Sequence, residues 1–267
     1  MMMKLRPGSG KTTPPAPPEA DEQLAIPEDG EGARMGFFDH LDELRQRLFK
    51  AVIALVIGTL VGVAVAAPVL EFLNQPYGRP FIVLDPTGSV VQYFRVALLV
   101  GAILSIPVST YQVLMFIVPG LTSKEKRILL YCIPPVTLLF LVGVAFAWFI
   151  LIPPALNFLE GFQEQLFRAE WSADRYLGFV TSLLFWMGVA FETPLVFFVL
   201  SILGIVTARP LIQNWRIAIV GASIAAAVIT PTVDPVNMLL VIAPLLALYV
   251  LSIFLVYVGS RLNRAEG

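Results

Sequence analysis

Charged side chains are scarce in this chain. Asp, Glu, Lys and Arg together make up 14% of its 267 residues, against roughly 25% in an ordinary soluble domain, so little of it is equipped to face water. A net charge of −1 supplies no basic excess for phosphates, which argues against nucleic acid as a partner. There is one cysteine, Cys132. An internal disulfide is therefore excluded, and the apolar run around Cys132 favours inert packing over thiol chemistry. The one histidine, His40, has no metal cluster or triad around it and reads as a surface or helix-end residue. With no nucleophile–base pair, metal cluster or cofactor box in view, the expectation is a protein that is not an enzyme and holds neither cofactor nor metal.

What the chain does have is apolar length: 57% of it is hydrophobic and its mean hydropathy is +0.81. Residues 1–35 stand apart, rich in Pro, Gly, Glu and Lys. They carry no periodic apolar face to repay the entropy of ordering, so a disordered cytoplasmic tail is expected. Within it, Gly8-Ser9-Gly10-Lys11-Thr12 invites a nucleotide-binding reading, but the glycine required five positions before Gly10 is Leu5, and Pro14-Pro15 stand where a helix should follow. That reading fails. No apolar segment follows the early Lys and Arg, so the start does not read as a signal peptide.

From residue 36 to 262 the pattern is that of a membrane domain. Phe37, Leu41, Leu44 and Leu48 recur at helical spacing opposite Asp39, Glu43, Arg45 and Arg47, which predicts an amphipathic surface helix over 37–50. Six spans follow by hydropathy, roughly 51–70, 94–118, 128–153, 177–206, 215–230 and 236–258. The fifth is short, and Pro134-Pro135 should distort the third. Only helices or a closed barrel satisfy the backbone in lipid, so the fold class is an all-α polytopic membrane protein. Loops on one side carry eleven Lys and Arg against four on the other, which puts both termini, including 263–267, in the cytoplasm of a multi-pass plasma-membrane protein.

Few polar residues resist a packing explanation. Glu192 lies mid-span in Gly188-Val-Ala-Phe-Glu-Thr-Pro194; a carboxyl there is costly unless it faces protein or water, so a functional role outweighs a structural one. Glu125 sits in the cytosolic turn Lys124-Glu-Lys-Arg127, where a solvated or helix-capping charge is the natural reading. Glu43 reads as an exposed charge able to pair with Arg47. Asp234, in the short outer segment Thr230-Pro-Thr-Val-Asp-Pro235, reads as a turn residue. Gly221, Ala222, Ala225 and Ala226 point to close helix packing in the fifth span.

Taken together, several segments resemble one family. His40-Leu-Asp-Glu-Leu-Arg45 is similar to the HLxELR opening of TatC, the core subunit of the twin-arginine protein translocase. Pro107 with Tyr111-Gln-Val-Leu-Met-Phe116-Ile-Val-Pro119-Gly-Leu121 resembles its second-span motif, followed by the turn Glu125-Lys-Arg127. Gly188 to Pro194 resembles GxxFExP, and Thr230-Pro231 with Asp234-Pro235 resembles TPxxD. The matches run in order from about residue 36 to 260.

The resemblance implies a receptor for signal peptides carrying consecutive arginines, and a scaffold of a proton-gradient-driven translocase for folded proteins. It makes Glu43 and Glu125 the carboxylates for the two guanidinium groups, with Leu41, Arg45, Phe116 and Pro119 shaping that site. Carboxylates suit the task, since arginine forks match them bidentately and stay charged. Glu192 with Pro194 would dock single-span subunits of the TatA and TatB type, while Pro76 and Asp234 would act on the outer side. Membrane lipid and further copies of the chain complete the implied partners. The alternatives are a proton-coupled secondary transporter using Glu192, which should show matched internal repeats, and a purely structural membrane subunit.

Overall fold

The computed structural model describes residues 37–117, 123–166, 169–230 and 234–266; the 1–35 tail lies outside them. The elements in order are α1 (Phe37–Asn74), α2 (Gly88–Ile117), α3 (Ser123–Phe146), a π-helical turn (Ala147–Leu151), α4 (Ile152–Gly161), α5 (Ala173–Ile202), α6 (Ala208–Gln213), α7 (Trp215–Ile229) and α8 (Pro235–Glu266). Among the described residues, five helices are long and apolar enough to cross a membrane, and α7 is a shorter apolar helix. With α7 these make the six spans expected. Its 15 residues reach only about 22 Å at ~1.5 Å per residue, short of a ~30 Å hydrocarbon core.

Chain contacts divide the molecule into residues Met1–His40 and Leu41–Gly267. Of the first unit, only the opening turn of α1 is described. The second holds the packing that follows.

The segment 37–50, expected as an amphipathic helix leading into the first span, is continuous with that span: α1 runs 38 residues without a break. From Phe37 to Ile57 there is no Gly or Pro, so nothing interrupts the ladder before the membrane segment begins. In the third span, Pro134 and Pro135 sit inside α3 without ending it. The distortion comes later, at Ala147–Leu151, just before Pro153-Pro154. Those two prolines cannot donate to the carbonyls of Phe149 and Ile150, and the helix widens into a π turn there.

Helix α5 is the core element. Tyr176, Val180, Leu183, Leu184 and Met187 are buried at helical spacing along it, and it packs against α8, α3 and α2. Side chains such as Ile57, Leu60, Ile224 and Phe254 are instead exposed, as lipid-facing residues must be. Without a hydrophobic drive between helices in lipid, close backbone approach does the work. A Cβ on Gly143 of α3 would lie 2.6 Å from the Met187 carbonyl oxygen of α5, and one on Gly101 of α2 would lie 2.5 Å from the Thr59 amide of α1.

The outer ends are tied by aromatic residues. Tyr77 stacks with Trp171 at 5.5 Å between centroids and meets Tyr176 at 5.4 Å. The Tyr176 hydroxyl donates to the Leu73 carbonyl at 2.8 Å, and the Ala173 amide to Ile82 at 2.8 Å. The first outer loop is thereby fastened to the start of α5.

Candidate functional site

The sequence places its candidate residues at three levels of the bundle, and the structure keeps the levels apart. At the cytosolic level Leu41, Glu43 and Arg45 share the first turns of α1. Leu41 and Arg45 are exposed. Glu43 is not the exposed charge expected, because its side chain is only 15% accessible and that of Arg47 19%. Arg47 donates through Nε at 2.8 Å and through Nη2 to Glu43 Oε1. This is the i,i+4 pair that the spacing predicts, held where water screens it little. Phe116 is half-buried near the end of α2. Glu125 falls in the first turn of α3, with its side chain outside the described set, and Pro119 lies outside the described residues.

At mid-span, Glu192 and the buried Pro194 lie on α5, which continues unbroken past the proline to Ile202. Glu192 Oε1 is buried without a hydrogen-bond partner. It borders a cavity of about 210 Å³, whose walls include Ser109 and Thr110 of α2 and Val136 of α3. The lining comes from α2, α3 and α5 rather than from the short α7.

At the outer level, Asp234 does more than turn the chain. Its Oδ1 accepts the Asn237 amide at 2.7 Å and its Oδ2 accepts Asn237 Nδ2 at 3.0 Å, which makes it the N-cap of α8. Pro76 is exposed in the turn after α1, beside the buried Tyr77.

One outer network escaped the sequence reading, which counted Arg95 only as a loop charge. Arg95 lies within α2 and reaches across to α5. Its Nη1 donates to Asp174 Oδ1 at 3.0 Å, to the Asp174 carbonyl at 3.1 Å and to Gln92 Oε1 at 3.0 Å. Gln92, itself buried, donates to the same Asp174 carboxylate at 3.2 Å. The available signal was an arginine and a glutamine three residues apart in the first turns of a span, where each needs a partner.

The family model for the Sec-independent protein translocase protein TatC matches residues 39–244. The chloroplastic Sec-independent protein translocase protein TATC of Arabidopsis thaliana is 34% identical over 96% of this chain and 79% of its own. The TatC protein of Synechocystis is 36% identical over 88% of this chain and 90% of its own. Among solved structures, a crystal structure of the twin-arginine translocase receptor TatC superposes with a TM-score of 0.75 at 38% identity, covering 83% of this chain and 100% of that one.

Proposed function

Since the chain belongs to the TatC family of Sec-independent protein translocase proteins, we propose that it is the receptor for twin-arginine signal peptides and the scaffold on which the translocase assembles. It exports folded proteins across the membrane with energy from the proton gradient.

In this reading Glu43 and Glu125 each take one guanidinium of the arginine pair, and Leu41, Arg45, Phe116 and Pro119 shape the surrounding surface. The observation that carries it is the state of Glu43. A carboxylate held partly out of water, already oriented by Arg47, interacts more strongly with a second guanidinium than a solvated one would. Glu125 belongs to the first turn of α3.

Glu192 is the docking point for the single-span subunits of the complex, TatA and TatB in type. A buried carboxyl oxygen without a partner beside a cavity supports this, because a partner helix bringing a polar side chain would satisfy it. Pro76 and Asp234 act on the outer side, and the complex contains further copies of the chain. The transporter alternative has no observation in its favour here.

The test is a binding titration of the purified protein with a twin-arginine peptide and with its twin-lysine counterpart. The arginine peptide binds and the lysine peptide binds markedly more weakly, because a point-charge ammonium cannot fork onto a carboxylate. Equal affinity for the two peptides contradicts the assignment.

A further inference from the structure

A second cavity, about 980 Å³, lies on the outer half of the bundle, and of its lining the receptor reading uses Asp234 alone. Its lining is layered. Arg95, Asp174, Arg175 and Asp234 form one layer, near the outer ends of α2, α5 and α8. Deeper in, the wall is built by Leu98 and Ala102 of α2 and by Phe185 and Trp186 of α5, with Ser182 between the layers. Both stripes follow helical spacing, 95-98-102 and 175-178-182-185, so each is one continuous face of its helix.

The charged layer has two cations and two anions, and it is pre-organised. Arg95 is pinned through Nη1 by Asp174 and Gln92, which uses one of the guanidinium's three nitrogens and leaves the remaining N–H groups of the fork oriented. Gly178 makes room beneath it: a Cβ there would lie 3.1 Å from Arg95 Nη1. Asp234 is held by both Asn237 bonds. A purely anionic ligand would meet two carboxylates, and an apolar helix would offer nothing to the exposed Arg175 or to the remaining N–H groups of Arg95. The arrangement fits a molecule with a phosphate, a hydrogen-bonding ammonium and long apolar chains.

We propose that this cavity is a binding site for phosphatidylethanolamine drawn from the outer leaflet. The phosphate lies on Arg95 and Arg175, the ammonium faces Asp174 and Asp234, and an acyl chain runs down the wall past Ser182 to Phe185 and Trp186. A bidentate arginine–phosphate contact supplies specificity as well as attraction, and the apolar wall contributes in proportion to the acyl surface it covers.

The proposal is tested by native mass spectrometry of the full-length, delipidated protein titrated with three lipids of matched chains. Phosphatidylethanolamine is expected to bind about tenfold more tightly than phosphatidylglycerol, which lacks the ammonium, or phosphatidylcholine, whose quaternary ammonium has no N–H to donate. Arg175→Gln, at an exposed position, and Ser182→Trp, which fills the trough, each lower that affinity about tenfold while circular dichroism stays unchanged. Equal affinity for the three lipids, or unchanged binding in both variants, overturns the proposal. So does a photocrosslinker at Trp186 that captures a single-span subunit in place of lipid.

Discussion

Arg47 forks onto Glu43 one helical turn above it, with Nε 2.8 Å from Oε1, and both side chains are more than four-fifths buried. The carboxylate most directly implicated in recognising a guanidinium therefore already holds one. An incoming arginine joins a charge that is oriented in advance, and little further ordering is needed.

From this follows the first prediction. Glu43→Lys and Glu125→Lys each abolish binding of a twin-arginine peptide while the protein still inserts and elutes as folded. The milder Glu43→Ala and Glu125→Ala weaken binding about ten-fold or more, since a charge-assisted hydrogen bond is worth about 1.5–3 kcal/mol. Fluorescence anisotropy with a labelled peptide reads this directly. Wild-type affinity in the doubly reversed variant would remove both residues from the site.

Much of this was legible in the sequence, for reasons that differ by element. Apolar length alone gives the spans, because a ~30 Å slab sets how many residues each needs, and the short α7 was visible in the same way. The Glu43–Arg47 pair follows from spacing. Burial of Glu43 did not, because what covers a surface-helix residue is decided by neighbours distant in sequence. Arg95 stands second in the hydropathy span that begins at residue 94 and so passed for a charge at its edge, whereas α2 begins at Gly88 and places it well inside the helix. A polar turn that caps into a helix carries no hydropathy signal. The π turn at Ala147–Leu151 was likewise hidden: a proline pair predicts distortion, but local packing decides which pair expresses it.

Glu192 yields a second prediction. Glu192→Gln keeps an N–H donor and the shape, so export and association with single-span subunits persist. Glu192→Ala removes both and loses much of each, while twin-arginine peptide binding survives in either variant. In vivo export of a reporter, pull-down of the subunits and peptide titration are measured on the same strains. Equal loss of peptide binding and export in Glu192→Ala would make the residue structural.

Orientation gives a third. In a background with Cys132 replaced, Pro80→Cys and Gln165→Cys react with a membrane-impermeant maleimide added to intact cells, and Lys124→Cys reacts only after lysis. The eleven-to-four distribution of Lys and Arg requires this. Labelling of Lys124→Cys in intact cells would invert the topology.

The aromatic fastening at the outer ends gives a fourth. The buried hydroxyl of Tyr176 donates to the Leu73 carbonyl at 2.8 Å, so Tyr176→Phe removes one bond and leaves a buried acceptor. The cost is about 1 kcal/mol, seen as a lower midpoint of thermal unfolding in detergent, with peptide binding unchanged. A midpoint identical to wild type would show that the bond contributes nothing.

The receptor assignment itself is tested most directly by photocrosslinking. A twin-arginine peptide carrying a photoreactive group beside the arginine pair is bound to the purified protein, irradiated, and its attachment sites are mapped by mass spectrometry. Attachment is predicted in the first turns of α1 around Glu43 and at the start of α3 around Glu125, and it is lost when the two arginines are replaced by lysines. Attachment confined to the outer ends of α2, α5 and α8, or a pattern unchanged by that replacement, would contradict the account.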